Sequence, residues 1–299
     1  MVSSWWEIQI FGDPALEELL FWRLQAFGCQ GTSSQIKGDS RLVSAYLHQS
    51  QADQLDLTAL AVSLRQEAES AGFSSPMVDW QLIDEADWAT SWQKHWHPQE
   101  VGDRLLIYPA WLPLPATTDR VLLRLNPGSA FGTGDHATTQ LCLEAIEMRL
   151  NESFNSNQDL VVADIGCGTG ILSIAAILLG ADRAYAVDLD PLAVEAACNS
   201  RDLNQLDPNC LIIEQGSIER LVERLDQPVD GIFCNILAEV IIELIPQMAR
   251  ITKPNSWGIF SGILLNQVDD IREVLEKNGW VINSLRQRQD WCCINVRCS

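Results

Sequence analysis

What most limits the fold of this chain lies near its middle, at Val161-Val162-Ala163-Asp164-Ile165-Gly166-Cys167-Gly168-Thr169-Gly170-Ile171. A β-branched run ends in an acid, glycine then stands at every second position, and an apolar helical segment follows. That order predicts a strand, a tight loop and a helix N-terminus, the opening unit of an open α/β sheet. Gly166, Gly168 and Gly170 remove Cβ atoms where a ligand must touch the main chain or where φ turns positive. A dinucleotide-binding loop spaces its glycines G-x-G-x-x-G/A so that a pyrophosphate lies on the helix end. Here the spacing is G-x-G-x-G with Ile171 next, and Asp164 just before it suits an amino group better than a phosphate. Further on, Ala184-Tyr185-Ala186-Val187-Asp188 predicts a second strand ending in an acid, well placed for ribose hydroxyls. The loop by itself implies a cofactor and leaves the substrate open.

The alternation continues downstream. Strands are expected at Leu211 to Glu214, through Val229-Asp230-Gly231-Ile232-Phe233-Cys234 to Asn235, and at Gly258 to Ser261. Helices are expected at Leu192 to Asn204, Ile218 to Leu225, Glu239 to Ile251 and Val268 to Asn278, and a closing hairpin at Val281 to Arg288 and Trp291 to Val296. A doubly wound sheet holds ligands at the carboxyl ends of its strands, where Asp164, Asp188 and Asn235 all fall. Upstream, strands at Leu105 to Tyr108 and Val121 to Leu125 precede Asn126-Pro127-Gly128-Ser129-Ala130-Phe131-Gly132-Thr133-Gly134-Asp135-His136-Ala137-Thr138-Thr139. This glycine-rich stretch opens a helix from Thr138 to Leu150. It reads either as a ligand clamp or as a capped helix start with Thr138 or Thr139 as N-cap.

Before residue 85 the pattern is β-α-β-β-α-β, that of a ferredoxin-like split unit, with no glycine loop or nucleophile pattern. Asp84 to His97 reads as a connecting helix whose Trp88, Trp92 and Trp96 form a packing stripe. His95 and His97 flank Trp96 without the further ligands a metal needs. The expected division is a small domain over residues 1–84, a linking helix over 85–98 and a catalytic domain over 99–299. A net charge of −20 argues against a wide nucleic-acid surface and is compatible with a basic protein or amine as partner. Nine cysteines without a C-x-x-C pair indicate neither a zinc site nor a disulfide framework, so reduced thiols are expected. Met1 to Ile10 lacks a signal-peptide pattern, and the longest apolar run, Ile171 to Ala181, is too short to span a bilayer. A cytoplasmic protein is expected.

With those residues in view, the chain resembles the ribosomal protein L-eleven methyltransferase (PrmA) family over nearly its full length. The resemblance rests on His95-Trp96-His97-Pro98, on Phe131-Gly132-Thr133-Gly134 with His136 and Thr138-Thr139, on the Asp164 to Gly170 loop, and on Asn235-Ile236-Leu237-Ala238. It implies a doubly wound, Rossmann-like class I methyltransferase sheet joined to a smaller ferredoxin-like α+β substrate-recognition domain. It also implies S-adenosyl-L-methionine as cofactor, held by residues matching Thr139, Gly166, Asp188 and Asn235, with Gly168 allowing backbone contact. The implied substrate is a large-subunit ribosomal protein, free or in the ribosome, methylated on its N-terminal α-amine and on lysines. A monomer is expected, with no metal, no membrane and no direct nucleic-acid readout. Asn235 resembles the polar residue that opens the Asn-Pro-Pro-Tyr motif of amino methyltransferases and is the expected catalytic residue, accepting hydrogen bonds from the target amine. Its run lacks the Pro-Pro-aromatic part, which implies a more open amine pocket. His136 stands as a candidate base beside a loop-packing role. Alternatives are a methyltransferase acting on another protein or a small amine, a nucleotide-dependent oxidoreductase, and a non-catalytic cofactor-binding module.

Overall fold

Period-two alternation along the first strand, β1 (Ser4–Gly12), sends Trp6, Ile8 and Ile10 to one side, where all three are buried. They meet Val43, Ala45 and Leu47 of β3 (Ser40–His48) and a leucine layer from α1 (Glu17–Ala26) and α2 (Gln54–Ser70). Each such fully buried aliphatic side chain contributes about 1.5–3 kcal/mol. With β2 (Gln30–Lys37) and β4 (Met77–Asp84) the sheet order is β2-β3-β1-β4, every pair antiparallel. A capping box starts α2: Asp53 accepts the amides of Leu55 and Asp56, and the Asp56 carboxylate takes the Asp53 amide. Pro14 opens a short 3₁₀ turn, Pro14–Leu16, ahead of α1.

The computed structural model describes residues 4–38, 40–84, 96–126, 134–152 and 159–299. The chain divides into two units, Met1–His97 and Pro98–Ser299. Most of the expected linking helix, with Trp88, Trp92 and His95, lies outside the described residues, as do Phe131, Gly132 and Thr133.

The second unit opens with a small sheet of β5 (Gln99–Val101), β6 (Leu105–Pro109) and β7 (Val121–Leu125), followed by α3 (Ala137–Glu152). At three residues, β5 is too short to leave a periodic signal. The main sheet comprises β8 (Val161–Ile165), β9 (Arg183–Asp188), β10 (Leu211–Gln215), β11 (Val229–Asn235), β12 (Thr252–Leu264), β13 (Trp280–Arg288) and β14 (Trp291–Cys298). Its order is β10-β9-β8-β11-β12-β14-β13, the first five parallel and β14 antiparallel to both neighbours. Crossover helices α4 (Ile171–Leu178), α5 (Pro191–Leu203), α6 (Ile218–Arg224), α7 (Ala238–Met248) and α8 (Val268–Lys277) complete it. The chain winds outward from β8 on one side and from β11 on the other, so the switch point, and its ligand crevice, lies between these two strands. Below it, Phe233 is tilted on Trp257 at 5.6 Å and Phe260 stands edge-on to Trp280 at 6.0 Å.

Two expectations are corrected. β12 starts at Thr252, well before Gly258, because its register with β11 jumps from Val229↔Thr252 to Gly231↔Trp257 and the residues between bulge out. Ser256 pins that bulge by donating to the Val229 carbonyl at 2.7 Å. Thr138 and Thr139 lie inside the first turn of α3, while the His136 carbonyl accepts the first helical bond, from Gln140 at 3.1 Å.

Glu147 of α3 is buried and accepts the amides of Asp103 and Arg104 at 2.9 and 3.0 Å, tying the β5–β6 turn to the helix. Glu147→Ala strands both amides and is expected to lower stability by about 2–3 kcal/mol, read as a shifted urea midpoint at unchanged slope. Glu147→Gln keeps an acceptor and should lose less than half of that.

Candidate active site

Burial of Val162 to Ile165 fixes β8 in the middle of the sheet, and the chain must turn sharply as it leaves. Gly166, Gly168 and Gly170 follow with φ of +74°, +54° and +76°, a left-handed backbone that side chains disfavour. The amides of Gly166 and Cys167 both reach the Val187 carbonyl of β9, at 2.9 and 3.1 Å. Gly168 donates its amide to Oδ2 of Asp188 at 2.8 Å, and Asp190 donates its amide to Oδ1 at 3.0 Å. Asp188 therefore props the glycine loop from the end of the neighbouring strand. Each carboxylate oxygen retains a further acceptor site.

Asp164 is fully buried beneath the loop. Its Oδ2 accepts the Ser173 hydroxyl of α4 at 2.7 Å, and its Oδ1 has no hydrogen-bond partner among the described residues. Burial pushes its carboxyl up to about 7; the Ser173 hydroxyl and amide pull against this shift, and the Asp188 charge adds to it.

Across the switch point, Asn235 ends β11 and donates from Nδ2 to the hydroxyl of buried Thr139 at 3.4 Å. Its Oδ1 is shielded from water and has no partner among the described residues. The structure thus joins Thr139 to Asn235 and Gly168 to Asp188, and sets Ile236 against Gly166, so close that a Cβ on the glycine would overlap the isoleucine Cγ2.

His136 lies at the start of α3, its Nδ1 2.7 Å from the Thr138 hydroxyl and 3.4 Å from the Thr138 amide, which can only donate. Nδ1 therefore serves as an acceptor in a side-chain cap, with the proton assigned to Nε2. The ring stands edge-on to Trp291 at 5.1 Å. Sequence reasoning missed Ser173, which partners Asp164, and Gly262, which lies against Ile236. An isolated glycine within a strand pattern is the one signal that marks Gly262, and it marks only a bulge.

Strand order and glycine loop together define the class: this is the doubly wound sheet of class I methyltransferases. A family model described as Ribosomal protein L11 methyltransferase (PrmA) matches residues 4–299. Proteins named Ribosomal protein L11 methyltransferase from a Cyanothece species and from Thermosynechococcus vestitus are 61% and 50% identical to this chain. They match over 296 and 297 residues, which is 99% of this chain in each case and 99% and 98% of those proteins. A solved ribosomal protein L11 methylase from Lactobacillus delbrueckii subsp. bulgaricus is 32% identical, with a TM-score of 0.59. That match covers 68% of this chain and all of the other. The chain belongs to the ribosomal protein L11 methyltransferase (PrmA) family. Among the described residues no helix is long and apolar enough to cross a membrane.

An ordinary aspartate loses its proton near pH 3.9, whereas Asp164 in the folded chain holds its own up to about 7. Between these values the folded state binds the extra proton, so this group lowers stability as pH rises from about 4 to 7 and adds no further slope above that. Asp164→Asn removes the slope, and the variant should gain melting temperature relative to the wild type on going from pH 5 to pH 8. Thermal unfolding at one-unit steps checks this, and parallel pH curves for the two chains would show that Asp164 does not titrate in this range.

Proposed function

We propose that this chain is an S-adenosylmethionine-dependent N-methyltransferase that modifies lysine side-chain and N-terminal amines of ribosomal protein L11. The observation that carries the chemistry is Asn235, one end committed to Thr139 and the other an acceptor at the switch point with no partner among the described residues. Such an oxygen is set to receive an N–H of a target amine and aim its lone pair. The substrate follows from family membership and from the name shared by the relatives.

The residues present fit the cofactor. The loop from Gly166 to Gly170 lets a ligand approach the main chain, and the spare acceptor sites of Asp188 suit ribose hydroxyls. The Thr139 hydroxyl suits the methionine end, and the unpartnered Oδ1 of Asp164 suits its amino group. When bound, S-adenosylmethionine supplies a methyl group on an electrophilic sulfonium. Alignment and exclusion of water are the protein's share, on the order of 7–11 kcal/mol at most.

A lysine amine, with a pKa near 10.4, is neutral in roughly one molecule in 2,500 at pH 7. Nδ1 of His136 is engaged by Thr138, so water takes the proton and Asn235 orients the neutral amine. Residues 1–84 act in this reading as the substrate-recognition domain, and 85–98 link them to the catalytic domain. A monomer is the oligomeric state proposed, and a ribosomal substrate suits the cytoplasm.

Incubation of recombinant ribosomal protein L11 with the enzyme and S-adenosylmethionine should add increments of about 14 Da per methyl group to lysines or the N-terminal amine. Asn235→Ala and Asp188→Ala should fold and lose on the order of 10²-fold in kcat/KM. Cofactor binding without any increment would move the substrate to another protein or a small amine. The rate of lysine methylation should also climb about tenfold per pH unit from 6.5 to 9, since the neutral lysine amine is the scarce species. His136→Asn, which keeps a capping acceptor, should keep that slope; a plateau near pH 7 in the wild type that the variant abolishes would make His136 the base.

A further inference from the structure

We infer that Gly262 is a positioning residue for the target-amine site: the lack of a side chain there sets where Asn235 presents its oxygen. The inference rests on the reading of Asn235 given above. The exit of β11, Asn235-Ile236-Leu237, runs between its two sheet neighbours, and each presents a glycine to Ile236. On the β8 side, the three atoms nearest a Cβ on Gly166 all belong to the Ile236 side chain, whose own Cβ would stand 3.8 Å away. On the β12 side the contact is with the main chain. A Cβ on Gly262 would overlap the Ile236 carbonyl oxygen and stand 2.8 Å from its carbonyl carbon and 3.1 Å from its nitrogen.

The Ile236 nitrogen is bonded directly to Asn235, so the main chain cannot yield there without carrying the asparagine with it. Slack on the β12 side is small. Ser261, paired with Asn235, donates its hydroxyl to the Cys292 carbonyl at 2.8 Å. The register with β14 breaks between Ser261 and Ile263, which leaves Gly262 at the bulge with φ +82°. Beyond it, Gln267 accepts the Leu264 amide and donates to Glu239 of α7, each at 2.9 Å, tying the strand end to the helix that follows the exit. The hydrogen bond from Asn235 to Thr139 is already long, at 3.4 Å. A small displacement of Ile236 breaks it and frees the amide to rotate.

Three substitutions in the full-length enzyme separate this role from a simple need for a bulge. Gly262→Ala adds the Cβ and strains the backbone. Gly262→Asn adds the same Cβ with the residue that best tolerates a left-handed φ. Gly258→Ala, on the same strand as Gly262, would crowd the side chains of Phe260 and of Val296 on β14 and serves as the destabilised control. Each would be measured for S-adenosylmethionine affinity by calorimetry and for kcat and KM per folded molecule on recombinant ribosomal protein L11. Both Gly262 variants should lose much less in cofactor affinity than in kcat, which should fall on the order of 10²-fold at similar KM for the protein, because a small misplacement costs the aligned step. Gly258→Ala should keep wild-type kcat per folded molecule even with a lower melting temperature. Recovery of kcat in Gly262→Asn, or a kcat for Gly262→Ala equal to that of Gly258→Ala, would overturn the inference. If Gly262→Ala does not fold, Gly262→Asn decides. A wild-type chain that binds cofactor but leaves the ribosomal protein unmodified would instead count against the function proposed for Asn235.

Discussion

A buried amide with one end paired and the other bare is the feature on which the ligand edge turns. Leaving an acceptor such as Asn235 Oδ1 without a partner costs about 1–3 kcal/mol, and Asp164 Oδ1 repeats the cost one strand away. Two such atoms at the carboxyl ends of β8 and β11, either side of the switch point, are poorly explained by stability. They make sense as acceptors awaiting donors, and the rest of the unit is arranged to keep them so. Ser173 holds one carboxylate oxygen, Thr139 holds the amide nitrogen, and the glycine loop keeps side chains out of the space above.

Electrostatics at this edge follow from burial. Burial pushes the thiols of Cys142, Cys167 and Cys234 up, and the charge of Asp164 raises each of them further. They remain neutral and pack as small apolar groups, offering no thiolate nucleophile. Negative charge at the edge is therefore carried by Asp188, joined by Asp164 once that buried carboxyl loses its proton. A cationic ligand relieves both the repulsion between these two acids and the desolvation of Asp164. That preference agrees with a sulfonium cofactor and disagrees with a pyrophosphate, the same conclusion that the spacing of the glycines supports.

Single residues at strand ends were legible in the sequence, and their partnerships were not. Asp164, Asp188 and Asn235 are visible because a run of β-branched or apolar residues stops at a polar one, a local pattern. The bond between Asn235 and Thr139 spans 96 positions, and only the folding of α3 against the sheet creates it. The early start of β12 was hidden by Pro254 and Asn255, which punctuate sequences as turns and here form a bulge, with Asn255 at φ +70°. Thr138 and Thr139, inside the first turn of α3, look like caps by composition. A histidine two residues earlier takes the cap because its ring nitrogen reaches the Thr138 amide and hydroxyl from outside the helix.

The run Asn235-Ile236-Leu237-Ala238 also raises the question of what makes it rigid. In an Asn-Pro-Pro-Tyr segment the prolines fix φ by ring closure. This chain has no proline there and achieves stiffness from outside. Ile236 has a β-branched side chain with few rotamers, and two neighbouring strands close on it through Gly166 and Gly262. Close packing against main chain thus substitutes for a covalent constraint. The next residue, Leu237, is 66% exposed. That exposed leucine, two residues past Asn235, offers apolar surface to the aliphatic stem of a lysine, in keeping with the amine substrate proposed above.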